Sequence, residues 1–234
     1  MRRALRLAAA LFRFTGEEVV RSRRGFYFVL LGALAIAELL LAARRSGDGV
    51  EGLGFLFMPG LWMVAAPLCR SWVDEDVRLG YAALWLQKPV RPFDFYLARL
   101  VAVMGWSVLG AIAVSLAALP GFALAGDPFG VIELLVGVGW IATLLVVLSF
   151  LGSTLGARNG ALFAYAMLFA GFGLQGFADA VWLGPAYNIL EIILPPATAG
   201  LGAVMAIGNR GVMAGIAQLW PVLVYTVACA LIGV

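Results

Sequence analysis

The chain has 234 residues, of which 63% are hydrophobic and only 12% charged, and its formal net charge is +3. Soluble domains average about 45–50% apolar and about 25% charged residues, so this composition excludes an ordinary soluble domain and predicts a polytopic membrane protein. With no histidine and only Cys69 and Cys229 as thiols, the chain lacks the residues of the usual zinc, haem and Ser-His-Asp sites. We expect both cysteines to be buried side chains rather than a disulfide.

Residues 1–25 carry seven arginines and predict an N-terminal amphipathic interfacial helix. At roughly 100° per residue, a basic face separates from an apolar face. The basic face contains Arg2, Arg6 and Arg13, and the apolar face contains Leu7, Leu11 and Phe14. Anionic lipid is the expected partner of such a helix. No small-residue cleavage site precedes the first apolar run, so a removable signal peptide is not predicted.

Residues 26–234 are predicted to form a single transmembrane domain, so the fold class is an all-α polytopic membrane protein with six transmembrane helices. The spans are expected at about 26–43, 53–68, 96–123, 131–155, 161–177 and 216–234. Glu38 falls inside the first span, where a carboxylate is costly; interface or structural pairing and a substrate or proton role both stay open. Glu133 falls in the first turn of the fourth helix and is read as a cap. The last span ends without a polar tail, so we expect the natural chain to continue.

The segment 70–99, between the second and third spans, carries recurrent charges and cannot cross a bilayer. The segment contains an acidic cluster, Asp74, Glu75 and Asp76. Residues 78–88 then carry apolar side chains at helical spacing, and Pro89 ends this predicted helix. Pro92 with Asp94 starts the next helix. The segment is therefore predicted to be a helix, a turn and a helix at the membrane face.

This segment resembles a pattern of the membrane subunits of type-2 ATP-binding-cassette (ABC) exporters, E-x-G-T-L-x-x-L-L-x-x-P-V-S-R…L-x-x-K. The residues that carry the resemblance are Arg78-Leu79-Gly80-Tyr81, Leu84-Trp85-Leu86 and Lys88-Pro89-Val90-Arg91, followed by Leu97 and Arg99. The resemblance implies that the segment is a cytoplasmic coupling helix that docks on an ATPase subunit. The coupling residues would be Asp74, Glu75, Asp76, Arg78, Leu79, Gly80, Tyr81, Leu84, Trp85, Leu86, Lys88, Pro89 and Arg91.

The chain itself contains no G-x-x-x-x-G-K-[ST] loop for nucleotide phosphates, so we do not expect it to be an enzyme. By the resemblance, ATP and Mg are bound by the partner ATPase, no cofactor is bound directly, and a second permease chain, identical or different, completes a dimer. Nothing in the chain predicts nucleic acid as a partner. The resemblance also implies export and the cell inner membrane of a bacterium or archaeon.

The segment 179–215 is the least regular part of the chain. Two short apolar helices meet at Pro195 and Pro196, which predicts a short re-entrant helical hairpin before the sixth span, as in the type-2 exporters; a surface helix is the open alternative. Possible translocation-path residues are Glu38, Gln175, Asn188 and Glu191.

A cytoplasmic N-terminus agrees with the positive-inside rule. Thirteen of the 16 basic residues then lie inside: seven before the first span, five in segment 70–99, and Arg158. An amphipathic or lipid-like cargo is favoured, but drug, lipid, glycan carrier and peptide stay open. Two other classes remain as alternatives: a non-transporting structural membrane subunit of a larger complex, and an intramembrane enzyme, for which the polar residues are scattered.

Overall fold

The structure, a computed structural model, describes residues 2–21, 65, 68–70, 72–81, 83, 87, 91–125, 130–175, 184–210 and 212–233. Over these residues the predicted all-α class is confirmed, since no strand is present there. The predicted first two spans and Glu38 lie outside the described residues, apart from Ala65 and Leu68 near the end of the second span.

Nine helices follow one another along the described part of the chain. They are α1 (Arg2–Arg21), α2 (Trp72–Arg78), α3 (Pro92–Ala125), α4 (Gly130–Thr154), α5 (Gly160–Gln175), α6 (Gly184–Ile193), α7 (Ala197–Arg210), α8 (Val212–Gln218) and α9 (Trp220–Gly233). Two stretches, Pro92–Pro120 and Val131–Thr154, are long and apolar enough to cross a membrane, and Gly160–Leu174 and Trp220–Gly233 are shorter apolar helices.

Helix α4 is the centre of the bundle and packs against α2, α3, α5, α7 and α9. About two-thirds of its span is buried, against one-third of the span in α3. Its sequence is apolar on every side, as expected of a helix surrounded by others. Ile141, Leu144, Leu148 and Phe150 are among its fully buried side chains.

Contacts place one end of each of the helices α3, α4 and α9 at the end of the bundle where α2 lies, which we call the α2 end. Helix α3 begins there, because Arg99 pairs with Asp76 of α2. Helix α4 ends there, because Ser153 contacts the backbone of α2. Helix α9 also ends there, where Gly233 packs on Leu151 of α4. Consecutive helices α3 and α4 are therefore antiparallel.

Helix α1 packs on the first half of α3. Leu11 is buried against Phe95 and Ala102, while the Phe12 ring stacks on Trp106 with centroids 5.1 Å apart. Phe14, which the periodicity groups with Leu7 and Leu11, is instead exposed. The buried stripe is rotated because Gly16 is small: a Cβ there would lie 2.3 Å from the indole of Trp106, so glycine permits the close approach.

The C-terminal third contains the break predicted at the double proline. Helix α6 ends at Ile193 and α7 begins at Ala197, after Pro195 and Pro196. The hydroxyl of Tyr225 in α9 donates a hydrogen bond of 2.6 Å to the Ile193 carbonyl, which fixes the end of α6. The last span, predicted as one helix over 216–234, is two helices in the structure. The first begins at Val212, and the interruption lies at Leu219, because Pro221 is in the first turn of α9.

Candidate docking site around helix α2

Helix α2 spans Trp72–Arg78 and contains the acidic residues Asp74, Glu75 and Asp76. Most of the helix predicted over 78–88 lies outside the described residues, so its bounds stay a prediction. The helix ends at Arg78 because Gly80 adopts a left-handed conformation with φ of 74°. Helical geometry is present again at Tyr81 and Ala83.

A side chain from a distant helix caps the start of α2. The Ser153 hydroxyl of α4 accepts hydrogen bonds from the backbone N–H groups of Val73 and Asp74, each at 2.9 Å. One turn earlier on α4, the Ser149 hydroxyl donates to the Arg70 carbonyl at 2.9 Å. A serine hydroxyl at a helix start satisfies N–H groups that otherwise have no partner, and here α4 supplies such a hydroxyl from a distant part of the chain.

The beginning of α5 also touches this junction. A Cβ at Gly160 would lie 2.7 Å from the Ser149 carbonyl oxygen and 3.1 Å from the Arg70 carbonyl oxygen. Only glycine fits here without displacing backbone. The starts of α2 and α5 and the end of α4 are thus in direct contact.

A buried ion pair joins α2 to α3. The Arg99 guanidinium donates to the Asp76 carboxylate, and the two residues are only 7% and 4% exposed. Burial raises the pKa of the Asp76 carboxyl, and the positive charge of Arg99 opposes that shift. Removing either partner would leave a buried charge without compensation, so the pair holds the two helices together.

A second set of ion pairs joins α2 to α1. Arg70 donates to Glu18 at 2.7 Å and to Glu75 at 2.6 Å, and all three side chains are partly exposed. Burial alone lowers the pKa of Arg70, but the two carboxylates more than compensate, and the pKa is raised above its ordinary value. Arg70 therefore stays charged and bridges the two helices.

The indole of Trp72 lies between the residues of these two sets. The guanidinium carbon atoms of Arg70 and Arg99 are 4.9 and 4.7 Å from the centre of its ring, within the range of a cation–π contact. Its Nε1 donates to the Leu68 carbonyl at 3.0 Å. Trp72 thus packs against both arginines and restricts their orientation.

The C-terminal end of α2 and the residues that follow it are exposed. Val77, Leu79 and Tyr81 are 63%, 59% and 49% exposed, and Arg78 is exposed beside them. We call the residues from Arg70 to Asp76 the base of this segment, and those from Val77 to Tyr81 its tip. Trp72 and Asp76 of the base are buried and its other described residues are partly exposed, whereas the tip presents exposed apolar side chains. An apolar surface on a firmly held support suits contact with another protein.

The remaining predicted site residues are placed as follows. Arg91 is exposed just before α3. Gln175 is the last residue of α5, and Asn188 and Glu191 are exposed on α6. The predicted coupling residues Leu84, Trp85, Leu86, Lys88 and Pro89 lie outside the described residues, as does Glu38 of the predicted path.

Sequence reasoning did not single out Glu18, Arg70, Ser149 or Ser153. Two of them could have been found from the sequence. Ser149 and Ser153 are four residues apart near the end of a long apolar run, where polar side chains need a hydrogen-bond partner. Glu18 stands among seven arginines, and its partner is 52 residues away, so no local pattern predicts the pair.

In the part of the chain that is described, no group of three or more Cys, Asp or Glu side chains could hold a metal ion. Comparison of the chain with protein-family models, with curated proteins and with solved structures gave no match. The function of this chain must therefore be inferred from its residues and from the geometry around α2.

Proposed function

We propose that this chain is the permease subunit of an ABC exporter, which couples ATP hydrolysis by a separate ATPase subunit to the export of a substrate. The observation that carries the proposal is the contrast within the coupling segment. Its base is held by a buried ion pair and by hydrogen bonds to α4, and its tip exposes Val77, Leu79 and Tyr81. A docking surface must be both accessible and firmly supported if force is to pass through it.

The charges around α2 support a cytoplasmic location. Arg78, Arg91 and Arg158 are exposed, and all three belong to segments at or next to the α2 end. Basic residues concentrate on the cytoplasmic side of membrane proteins, which is also the side where ATP is available. On this proposal the N-terminus is cytoplasmic and the apolar bundle crosses the membrane six times.

The other parts of the proposal concern partners and cargo. The permease works as a dimer with an identical or different chain, and anionic lipids contact the basic face of α1. The helices α6 and α7, separated by the double proline, form the re-entrant hairpin before the last span. The cargo is amphipathic or lipid-like, because apolar residues predominate outside the coupling segment.

The proposal is tested by extracting the tagged chain from its native membrane in mild detergent and identifying by mass what co-purifies in stoichiometric amount. We expect a P-loop ATPase. Leu79→Asp is expected to remove it, because a charge enters an apolar contact, and the control Leu79→Met is expected to retain it. A complex without a P-loop protein would favour a non-transporting structural subunit, which needs the bundle but no ATPase.

A further inference from the structure

We propose that Asp76 and Arg99 are positioning residues that pass a displacement of α2 into α3, while α4 stays in place as the support. The inference depends on the proposed function and specifies the route by which ATPase movement reaches the membrane helices. It follows from three features of the described helices: where α2 is held, by what kind of bond, and how each holding helix is packed.

The start of α2 is attached to the least movable helix. Ser153 and Ser149 of α4 hold the backbone of Val73, Asp74 and Arg70. Helix α4 packs against five other helices, so its displacement would disturb five interfaces at once. Interfaces in a close-packed interior resist continuous deformation. This end of α2 therefore acts as the fixed point.

The next attachment lies further along α2, towards the exposed tip, and leads to a different helix. Asp76 is held by Arg99 of α3, and both side chains are buried. Within a low-dielectric interior this bond resists separation strongly, because parting the charges would leave each one unpaired. A rotation of α2 about its start must therefore move Arg99 with it.

Helix α3 is able to move with Arg99. Among the described helices it packs chiefly on α4 and α1, and about one-third of its span is buried. Sliding of one packed helix along another is an established mode of small displacement. Helix α1 would travel with α3, because Phe12 stacks on Trp106 and the Trp106 Nε1 donates to the Phe12 carbonyl at 2.8 Å. The moving body is then α3, with α1 following it at Phe12 while Glu18 of α1 stays paired with Arg70 at the fixed point. The stationary body is α4 with α5 and α9.

Distances between spin labels test this division. Exposed positions for introduced cysteines are Val108 on α3, Leu162 on α5 and Val227 on α9, whereas Cys69 and Cys229 are buried and protected from labelling. Labelled chains are diluted with unlabelled ones, so that each distance is measured within one chain. The complex with the ATPase is compared with and without a non-hydrolysable ATP analogue and Mg²⁺.

In the otherwise unchanged chain we expect the analogue to alter the 108–162 distance and not the 162–227 distance. Asp76→Asn is expected to abolish the 108–162 change, and Asp76→Glu, which keeps the charge, to restore it. The control Asp94→Asn makes the same substitution at an exposed position on α3 and is expected to retain the change.

A change confined to 162–227, or a full 108–162 change in Asp76→Asn, would overturn the inference. The first of these comparisons needs no substitution at Asp76, so it can overturn the inference even if Asp76→Asn does not assemble; Asp76→Glu then tests the pair itself. If the ATPase fails to co-purify with the unchanged chain, the proposed function fails instead, and this route fails with it.

Discussion

The base and the tip of the segment around α2 are neighbours in sequence and differ in environment. At the base, Asp76 and the indole of Trp72 are buried; Asp76 pairs with Arg99 of α3, and the Trp72 Nε1 donates to the Leu68 carbonyl. At the tip, Val77, Leu79 and Tyr81 stand exposed. A connection that only had to join two membrane spans would be expected to bury its apolar groups and expose its charged ones.

The base and the tip therefore have different roles. The base fixes the segment to α1, α3 and α4, and the tip is left accessible for another molecule. If the account is correct, substitutions at the base should lower the stability of the fold, and those at the tip should change binding with little effect on stability. Four substitutions, taken from the largest expected effect to the smallest, test that distinction.

The largest effect is expected for Asp76→Asn. It leaves the Arg99 guanidinium buried without its counter-charge, and loss of one partner of a buried ion pair costs about 3–5 kcal/mol. Equilibrium unfolding in mixed micelles would measure the loss. Asp94→Asn, on the exposed first turn of α3, is the control and should cost no more than about 1 kcal/mol from its helix-dipole contribution. Equal losses in the two variants would contradict the assigned role of the pair.

Gly160→Ala is the next largest. The added methyl group would meet the backbone oxygen atoms of Ser149 and Arg70, and overpacking of this kind costs about 1–3 kcal/mol. Gly173→Ala in the same helix has no neighbour within 4 Å of the new Cβ and should be neutral or slightly stabilising. Equilibrium unfolding in mixed micelles compares the stability of the two variants. If Gly160→Ala left the stability unchanged, the junction of α2, α4 and α5 would be loosely packed.

The sequence predicts some features of this site and not others, for physical reasons. Proline and acid patterns locate the start of α3 at Pro92 and the break before α7, because both depend on local backbone constraints. The contact of Ser153 with the start of α2 is not predictable locally, because the two lie about 80 residues apart in the chain. Leu7 and Leu11 pack as the periodicity of α1 predicts and Phe14 does not, because Gly16 contributes nothing to a hydrophobic pattern yet decides where Trp106 can approach.

Ser153→Ala tests that distant cap. Two backbone N–H groups of α2 lose their acceptor, and loss of a capping hydroxyl costs about 0.5–2 kcal/mol. Thr154→Ala is the matched control, since its exposed hydroxyl bonds only to the Leu151 carbonyl of its own helix. Hydrogen exchange of the Val73 and Asp74 amides should accelerate in the first variant alone. Unchanged protection there would show that the cap is dispensable.

The smallest effect on stability is expected for Leu79→Ala. The side chain is largely exposed, and surface substitutions of this kind usually stay within about 0.5 kcal/mol. Binding of the partner should nevertheless weaken, because apolar contact area is removed from the tip. A marked loss of stability with unchanged partner binding would reverse the roles assigned to base and tip.

The most direct test of the central claim is photo-crosslinking in the native membrane from a benzophenone side chain placed at position 79. The account predicts a covalent adduct with a P-loop ATPase, and a probe at the exposed position 227 of α9 should not form it. An adduct of position 79 with lipid alone, or only with proteins that lack a P-loop, would contradict the claim that this tip docks an ATPase.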